Sequence, residues 1–280
     1  MKCSDWPVAI CSWSLRTDVA GVADAMRQLG IDGVNLALKP ALRDGGDEYL
    51  SAVRRQTWTI TATFIGFPQE DYSTLESIRA SGGIVPDEYW PQNRQMVARA
   101  ADITAQLGVR YLALHAGFLE SDEAAHARKV RDRLLWLADT AAGQGLILLL
   151  ETGQETADCL RSLLEELNHP VLGVNFDPAN MILYDRGDPV EAVRTLGSWI
   201  KHVHVKDAVR TKQPGTWGTE VPWGDGEVRG GAFLKTLKGI GFAGALAIER
   251  EAGDNRLGDI QLAAERLAKA GRLLEPGGRP

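Results

Sequence analysis

The stretch LILLLETG, residues 146–153, is an apolar run closed by a carboxylate, and short apolar runs like it recur along the chain. VAICSW (8–13), GVNLAL (33–38), WTITATFIGF (58–67), VRYLALHAG (109–117), VLGVNFDPAN (171–180), WIKHVHVKD (199–207) and ALAIERE (245–251) are its counterparts. Segments with helical patterns separate them, over 19–29, 92–107, 122–142, 155–167, 189–196 and 232–240, and a last one covers 257–272. One run and one helix take about 35 residues, an eighth of the 280-residue chain, which is the rhythm of a βα unit. Eight such units predict an α/β fold of the (β/α)8 or TIM-barrel type, as a single domain over 1–280. Gly30 stands where a helix C-cap is expected, 68–91 reads as a long loop, and the tail 274–280 is expected to fray. An open doubly wound sheet is the structural alternative, but no Gly-x-Gly-x-x-Gly follows the first run to support a dinucleotide fold.

Hydrophobic residues make up 44% of the chain, enough for a sizeable core. A net charge of −6 and a pI near 5.5 argue against a broad basic face, so neither nucleic acid nor a membrane surface is expected as a partner. Cys3, Cys11 and Cys159 show no paired spacing, which predicts free thiols in a reducing cytoplasm. The opening MKCSDWPVAICSW lacks the unbroken apolar run of a signal peptide, and no stretch reaches transmembrane length. A cytoplasmic, soluble protein is therefore expected.

In a parallel barrel the functional groups sit at the C-terminal ends of the strands. Polar residues that end apolar runs are therefore the informative ones: His115, Glu151, Asp177 and Glu249, with His204 late in its run. A carboxylate or imidazole there is close to buried, and burial without a partner is costly. Any one of them is accounted for by capping a helix or pairing with a nearby cation. Glu151, Asp177, His204 and Glu249 come from the fifth to eighth strands in turn, and a shared divalent cation accounts for all four. Three carboxylates and an imidazole suit Mn²⁺ first, with Mg²⁺, Co²⁺ or Zn²⁺ also admissible, and the cysteines are expected to contribute nothing. His202, His204 and Lys206 alternate on one strand face. His204 is taken as the ligand and His202 as a packing residue a layer deeper, an assignment that can be exchanged. His126 and His169 receive no role.

ETGQET (151–156), NFDPAN (175–180), HVHVKD (202–207) and IERE (248–251), in this order on successive strands, resemble the xylose-isomerase-like TIM-barrel superfamily. That superfamily includes sugar phosphate isomerases/epimerases and ketose 3-epimerases such as D-tagatose 3-epimerase. The barrel-level resemblance covers nearly the whole chain, and its motifs lie between Glu151 and Glu251. It implies Glu151, Asp177, His204 and Glu249 as metal ligands, with Glu151 and Glu249 as the acid/base pair on opposite faces of a sugar carbon. It also implies Arg210, six residues after the ligand histidine, against the substrate's oxygens. Two positions depart from the ketose epimerases. Asn180 stands where they carry a histidine three residues after the ligand aspartate, and Ala157 where they carry a glutamate six residues after the first ligand glutamate. Gln154 and Glu155 are the nearest polar substitutes.

The expected activity is a divalent-metal-dependent isomerisation or epimerisation of a keto-sugar or sugar phosphate by proton abstraction next to a carbonyl. The same site permits loss of a β-hydroxyl, so a lyase or dehydratase acting on a keto-cyclitol or 3-keto-glycoside is the alternative. DNA repair of the endonuclease IV type needs a histidine-rich metal cluster and a basic groove, and five histidines in an acidic chain argue against it. His115, Asn180, Lys206, Arg210, Trp217 and Trp223 are expected to contact the substrate. The two tryptophans lie in the Gly/Pro-rich segment 210–228 and offer flat faces to a sugar ring. Lys206 pairing with Asp207 is the plainer alternative. A homo-oligomer joined through helices and lids is admissible.

Overall fold

The computed structural model describes residues 1–120 and 123–275. Eight strands form its centre: β1 (Trp6–Cys11), β2 (Gly33–Ala37), β3 (Thr59–Ile65), β4 (Tyr111–Leu114), β5 (Ile147–Glu151), β6 (Leu172–Phe176), β7 (Ile200–Val205) and β8 (Ala245–Ile248). Each is parallel to its neighbours, and β8 pairs with β1 to close the barrel. Helices separate the strands, so the predicted TIM barrel is the fold. A two-residue strand, Lys2–Cys3, adds antiparallel to the start of β1. The expectation for the tail falls mostly on 276–280, outside the described residues.

Alternation along the strands divides the side chains between two environments. In β5, Leu148 and Leu150 join the large core beneath the helices, and each fully buried leucine contributes about 1.5–3 kcal/mol. Leu149 and Glu151 take the other face, inside the barrel, where Leu149 lies over Gly173. Small side chains line part of that interior, since Ala9, Cys11 and Ala247 form a cluster of their own against Trp13. The barrel mouth is thereby left to polar residues at the strand ends.

Several boundaries differ from the sequence reading. The segment 68–91 is not all loop: Leu75–Ser81 is helical, started by a reciprocal Thr74–Ser77 cap, and the next helix begins at Trp90. A helix at Gly46–Arg54, absent from the sequence reading, joins β2 to β3. The helix after β5 starts at Ala157 with Thr156 as its cap, which leaves Glu155 in the loop before it. Gly30 does cap the first helix, at φ 64°. No helix among the described residues is long and apolar enough to cross a membrane.

Candidate metal centre and substrate cavity

β5, β6, β7 and β8 bring Glu151, Asp177, His204 and Glu249 to one point. One ligand atom from each lies within 4.8 Å of all the others, and all four residues are buried. His204 Nδ1 is 3.2 Å from Glu249 Oε2, 3.5 Å from Glu151 Oε1 and 3.7 Å from Asp177 Oδ2. Asp177 Oδ2, His204 Nδ1 and Glu249 Oε2 are enclosed without a hydrogen bond of good geometry, Glu249 Oε2 having the Lys206 ammonium as an ion-pair partner. Buried polar atoms in that condition are costly, and three facing one point fit a divalent cation. The donor set suits a hard or borderline ion.

Neighbouring side chains fix the direction of every ligand. Asp177 caps the short helix Pro178–Leu183 through Oδ1, which accepts from Asn180 N at 2.9 Å and leaves Oδ2 for the site. Asn180 Nδ2 donates to Glu151 Oε1 at 3.0 Å, and Asn175 Nδ2 donates to Glu151 Oε2 at 3.0 Å. Trp13 Nε1 donates to Glu249 Oε1 at 2.6 Å, so Oε2 is the oxygen turned toward His204. Asn35 gives its amide hydrogens to the Ala62 carbonyl at 2.9 Å, and its Oδ1 accepts from His204 Nε2 at 2.9 Å. That bond places the imidazole proton on Nε2 and frees Nδ1 as a ligand. Asn175 Nδ2 also lies 3.1 Å from His204 Nε2, a contact secondary to its bond with Glu151.

His202 sits beneath this cluster. Its Nδ1 donates to Asn175 Oδ1 at 2.9 Å, and its Nε2 accepts from Thr61 Oγ1 at 3.0 Å. Burial, with His204 nearby, pushes its pKa well below the ordinary histidine value, which suits this neutral tautomer. For Glu249, burial pushes the carboxyl up, but Lys206 and His204 outweigh it and hold the group below its usual range. Burial likewise opposes the charge on Lys206, yet Glu249, Glu251 and Asp177 hold it well above the ordinary lysine value. Its ammonium lies 3.0 Å from Glu249 Oε2 and 2.6 Å from Glu251 Oε2.

Above the ligands opens a cavity of 640 Å³, within the range of small-molecule sites. Its lining includes Trp13, Phe64, His115, Asn180, Tyr184, Lys206, Trp217 and Glu249, with Glu70, Glu220 and Glu251 around the wall. His115 Nε2 is 3.4 Å from Glu151 Oε1, and its ring meets Phe64 edge-on. Trp217 packs its edge on Tyr184 at 4.7 Å between centroids. Two glycines make these approaches possible. A Cβ on Gly153, at φ 139°, would lie 2.3 Å from Asn180 Cβ, so only glycine lets the loop after β5 meet the helix Pro178–Leu183 where Asn180 holds Glu151. A Cβ on Gly226 would lie 2.2 Å from Asp207 Oδ1, the carboxylate that gathers the backbone N–H groups of Ala208, Gly224, Gly226 and Val228.

Four sequence expectations change. Arg210 is not among the cavity's lining residues: its guanidinium is held by Asp185 and the Gly187 carbonyl. Trp223 is buried against Phe233 instead of facing the cavity, with its carbonyl accepting from Arg266. Lys206 pairs with Glu249 and Glu251, not Asp207. Neither Gln154 nor Glu155 reaches the cavity, Gln154 donating to the Tyr184 hydroxyl at 3.3 Å. Trp13, Asn35, Asn175 and Glu251 at the ligands, and Phe64, Glu70, Tyr184 and Glu220 in the cavity wall, are not marked by the sequence.

Glu155 is buried, and burial together with nearby Glu120 pushes its carboxyl up to about 8, against Arg186. Its unfolded value is near 4.5, so the folded state alone keeps the proton between those values. Stability should then fall as pH rises through that window, by about 1.4 kcal/mol per pH unit at the steepest. Glu155→Gln has nothing to ionise and should gain on the parent steadily from pH 5 to pH 8. Denaturant unfolding at several pH values checks this, and parallel profiles for both proteins would refute it.

The family described as xylose isomerase-like TIM barrel matches residues 23–271. The Escherichia coli (strain K12) protein YihM is 31% identical over 90 residues, 32% of this chain, and the match spans only 27% of that protein's length. Among solved structures, a xylose isomerase domain protein from Planctomyces limnophilus is 30% identical, with a TM-score of 0.85 over 96% of this chain and 98% of that one. A xylose isomerase-like TIM barrel protein from Mycobacterium smegmatis, in complex with magnesium, is 18% identical, with a TM-score of 0.72 over 97% and 98% of the two chains. An L-ribulose 3-epimerase, also 18% identical, has a TM-score of 0.68 over 98% and 99%.

Proposed function

The chain belongs to the xylose isomerase-like TIM-barrel family, and from that premise we propose that it is a divalent-metal-dependent isomerase or epimerase of a polyhydroxylated keto-substrate. The observation that carries this reading is the convergence of one ligand atom each from Glu151, Asp177, His204 and Glu249 beside the cavity, with Asp177 Oδ2 and His204 Nδ1 enclosed and without a hydrogen bond. These four residues would hold the ion. A divalent cation there supplies Lewis-acid stabilisation of the negative charge that develops on a carbonyl oxygen.

The protein's own groups account for the rest of the reaction. Glu249, held ionised by the Lys206 ammonium, is suited to take the proton from the carbon next to the carbonyl. Trp13 keeps its other oxygen fixed, so the group does not rotate between roles. Glu151, positioned by Asn180 and Asn175, would enter the step as the carboxylic acid and give its proton from the opposite face, which inverts the carbon. Glu249 keeps the abstracted proton until exchange with solvent resets the pair. Return to the neighbouring carbon gives an isomer instead. His115, Asn180 and Lys206 line the cavity and bind substrate hydroxyls, while Trp217 and Phe64 cover its C–H surface.

The wall favours a neutral substrate over a phosphorylated one. Of the two cations expected to contact the substrate, Arg210 is engaged by Asp185 outside the cavity and Lys206 by two carboxylates. Lys39 is the lining cation without an ion-pair partner among the described residues, since Lys206 is paired with Glu249 and Glu251, and Glu220 is paired with Arg250. A panel of free keto-sugars and keto-cyclitols in D₂O with Mn²⁺, followed by NMR, tests the proposal. Metal-dependent deuterium uptake next to the carbonyl, with an epimer or isomer formed, is the expected result. Exchange on no member of the panel would sink it, and an ultraviolet-absorbing enone would move the assignment to a dehydratase.

A further inference from the structure

Cys11 ends β1, the next strand round the barrel from β8, and its side chain points to the interior beside Ala9 and Ala247. Its Sγ, a His204 ring nitrogen and a Glu249 carboxylate oxygen lie within 4.8 Å of one another. The thiol is fully buried, and its contact with Asn35 Oδ1 is a long 3.8 Å. His204 and Glu249 belong to this second group as well as to the first, and His204 Nδ1 is enclosed without a hydrogen bond. The centre therefore offers two overlapping donor sets. One is oxygen-rich and runs from β5 to β8; the other contains sulfur and runs from β7 through β8 to β1.

We propose that Cys11, His204 and Glu249 form an alternative site for thiophilic divalent ions such as Cd²⁺ and Zn²⁺, which bind there through sulfur while Mn²⁺ or Mg²⁺ uses Glu151, Asp177, His204 and Glu249. The proposal rests on the metal-centre reading above and deepens it. Softness decides between the sets: thiolate is a strong ligand for Cd²⁺ and Zn²⁺ and a poor one for Mn²⁺ and Mg²⁺. On binding, the S–H bond breaks, the sulfur electron pair passes to the ion and the proton leaves to the buffer, with no change of oxidation state. Because both sets need His204 and Glu249, occupation of one excludes the other. A thiophilic ion is then a competitive poison of the hard-metal form.

Chelator-treated protein carrying Cys159→Ser, which removes the half-buried thiol, is titrated with Cd²⁺ and separately with Mn²⁺. Cd²⁺ should produce a sulfur-to-metal charge-transfer band in the ultraviolet that saturates at one ion per chain. Adding Cys11→Ser should abolish the band and weaken Cd²⁺ binding by about tenfold or more, while Mn²⁺ affinity stays within about twofold. Asp177→Asn should do the reverse, losing Mn²⁺ and keeping the Cd²⁺ band. If the serine variant does not fold, Cys11→Ala, matched to its alanine neighbours, takes its place. No band in the parent, a band that survives loss of Cys11, or equal loss of both ions would each overturn the proposal. Parent protein that binds Cd²⁺ with the band but never Mn²⁺ would instead remove the proposed hard-metal enzyme and leave the sulfur site standing.

Discussion

Glu249→Gln is expected to slow both turnover and deuterium exchange next to the substrate carbonyl by roughly 10²–10⁴-fold, the range for losing a positioned acid/base group. The amide keeps an oxygen and nearly the same shape, but it does not accept a proton at neutral pH. In the native site Oε1 accepts the Trp13 indole N–H at 2.6 Å and Oε2 faces His204 and Lys206. The variant can keep its carbonyl oxygen on only one of these sides, and the other then meets an NH₂ group. Metal affinity should accordingly fall, but less than when Asp177 is removed. Exchange and metal content are measured on the same preparation, so loss of chemistry is separated from loss of the ion. Near-normal exchange in Glu249→Gln would show that another group takes the proton. Glu151 would then be the candidate, since it shares the ligand cluster with Glu249 and Glu155 does not.

The parts of this centre that were legible in the sequence share a cause. Glu151 and Glu249 each end an uninterrupted apolar run and Asp177 ends one broken only by Asn175, and a carboxylate there has few uses that repay its burial. The barrel was legible for the same reason, because every strand had to be apolar enough to be covered on its outer face. What stayed hidden depends on contacts between distant segments. Trp13 meets Glu249 across 236 residues, and Asn35 meets His204 across 169, so no local pattern marks either. Arg210 was misjudged because its partner Asp185 comes from a different loop. Lys206 and Asp207 are adjacent in sequence, but successive side chains of an extended segment point to opposite faces, which sends the lysine to the site and the aspartate to the loop amides. The helix Leu75–Ser81 escaped notice because seven residues carry little periodicity, and its cap uses serine where glutamate or glutamine is the familiar signal.

The two histidines of β7 give the sharpest test of the centre. His204→Ala is expected to reduce affinity for Mn²⁺ by more than about a hundredfold, because it deletes one of four donors and leaves three carboxylates to repel one another. His202→Ala should cost only about tenfold, the lower end of the effect of a group that supports a ligand. Its route to the ion is indirect: His202 orients Asn175, and Asn175 holds Glu151. The same substitution strands Asn175 Oδ1 in a buried place, so His202→Ala should also lower folding stability by about 1–3 kcal/mol. The two variants therefore separate on two axes, affinity for His204 and affinity with stability for His202. Manganese titrations followed by electron paramagnetic resonance give the first axis, and denaturant unfolding of the metal-free proteins gives the second. If His202→Ala loses the ion and His204→Ala retains it, the ligand and its support are exchanged. If both retain it, the cluster of Glu151, Asp177, His204 and Glu249 is not the metal centre.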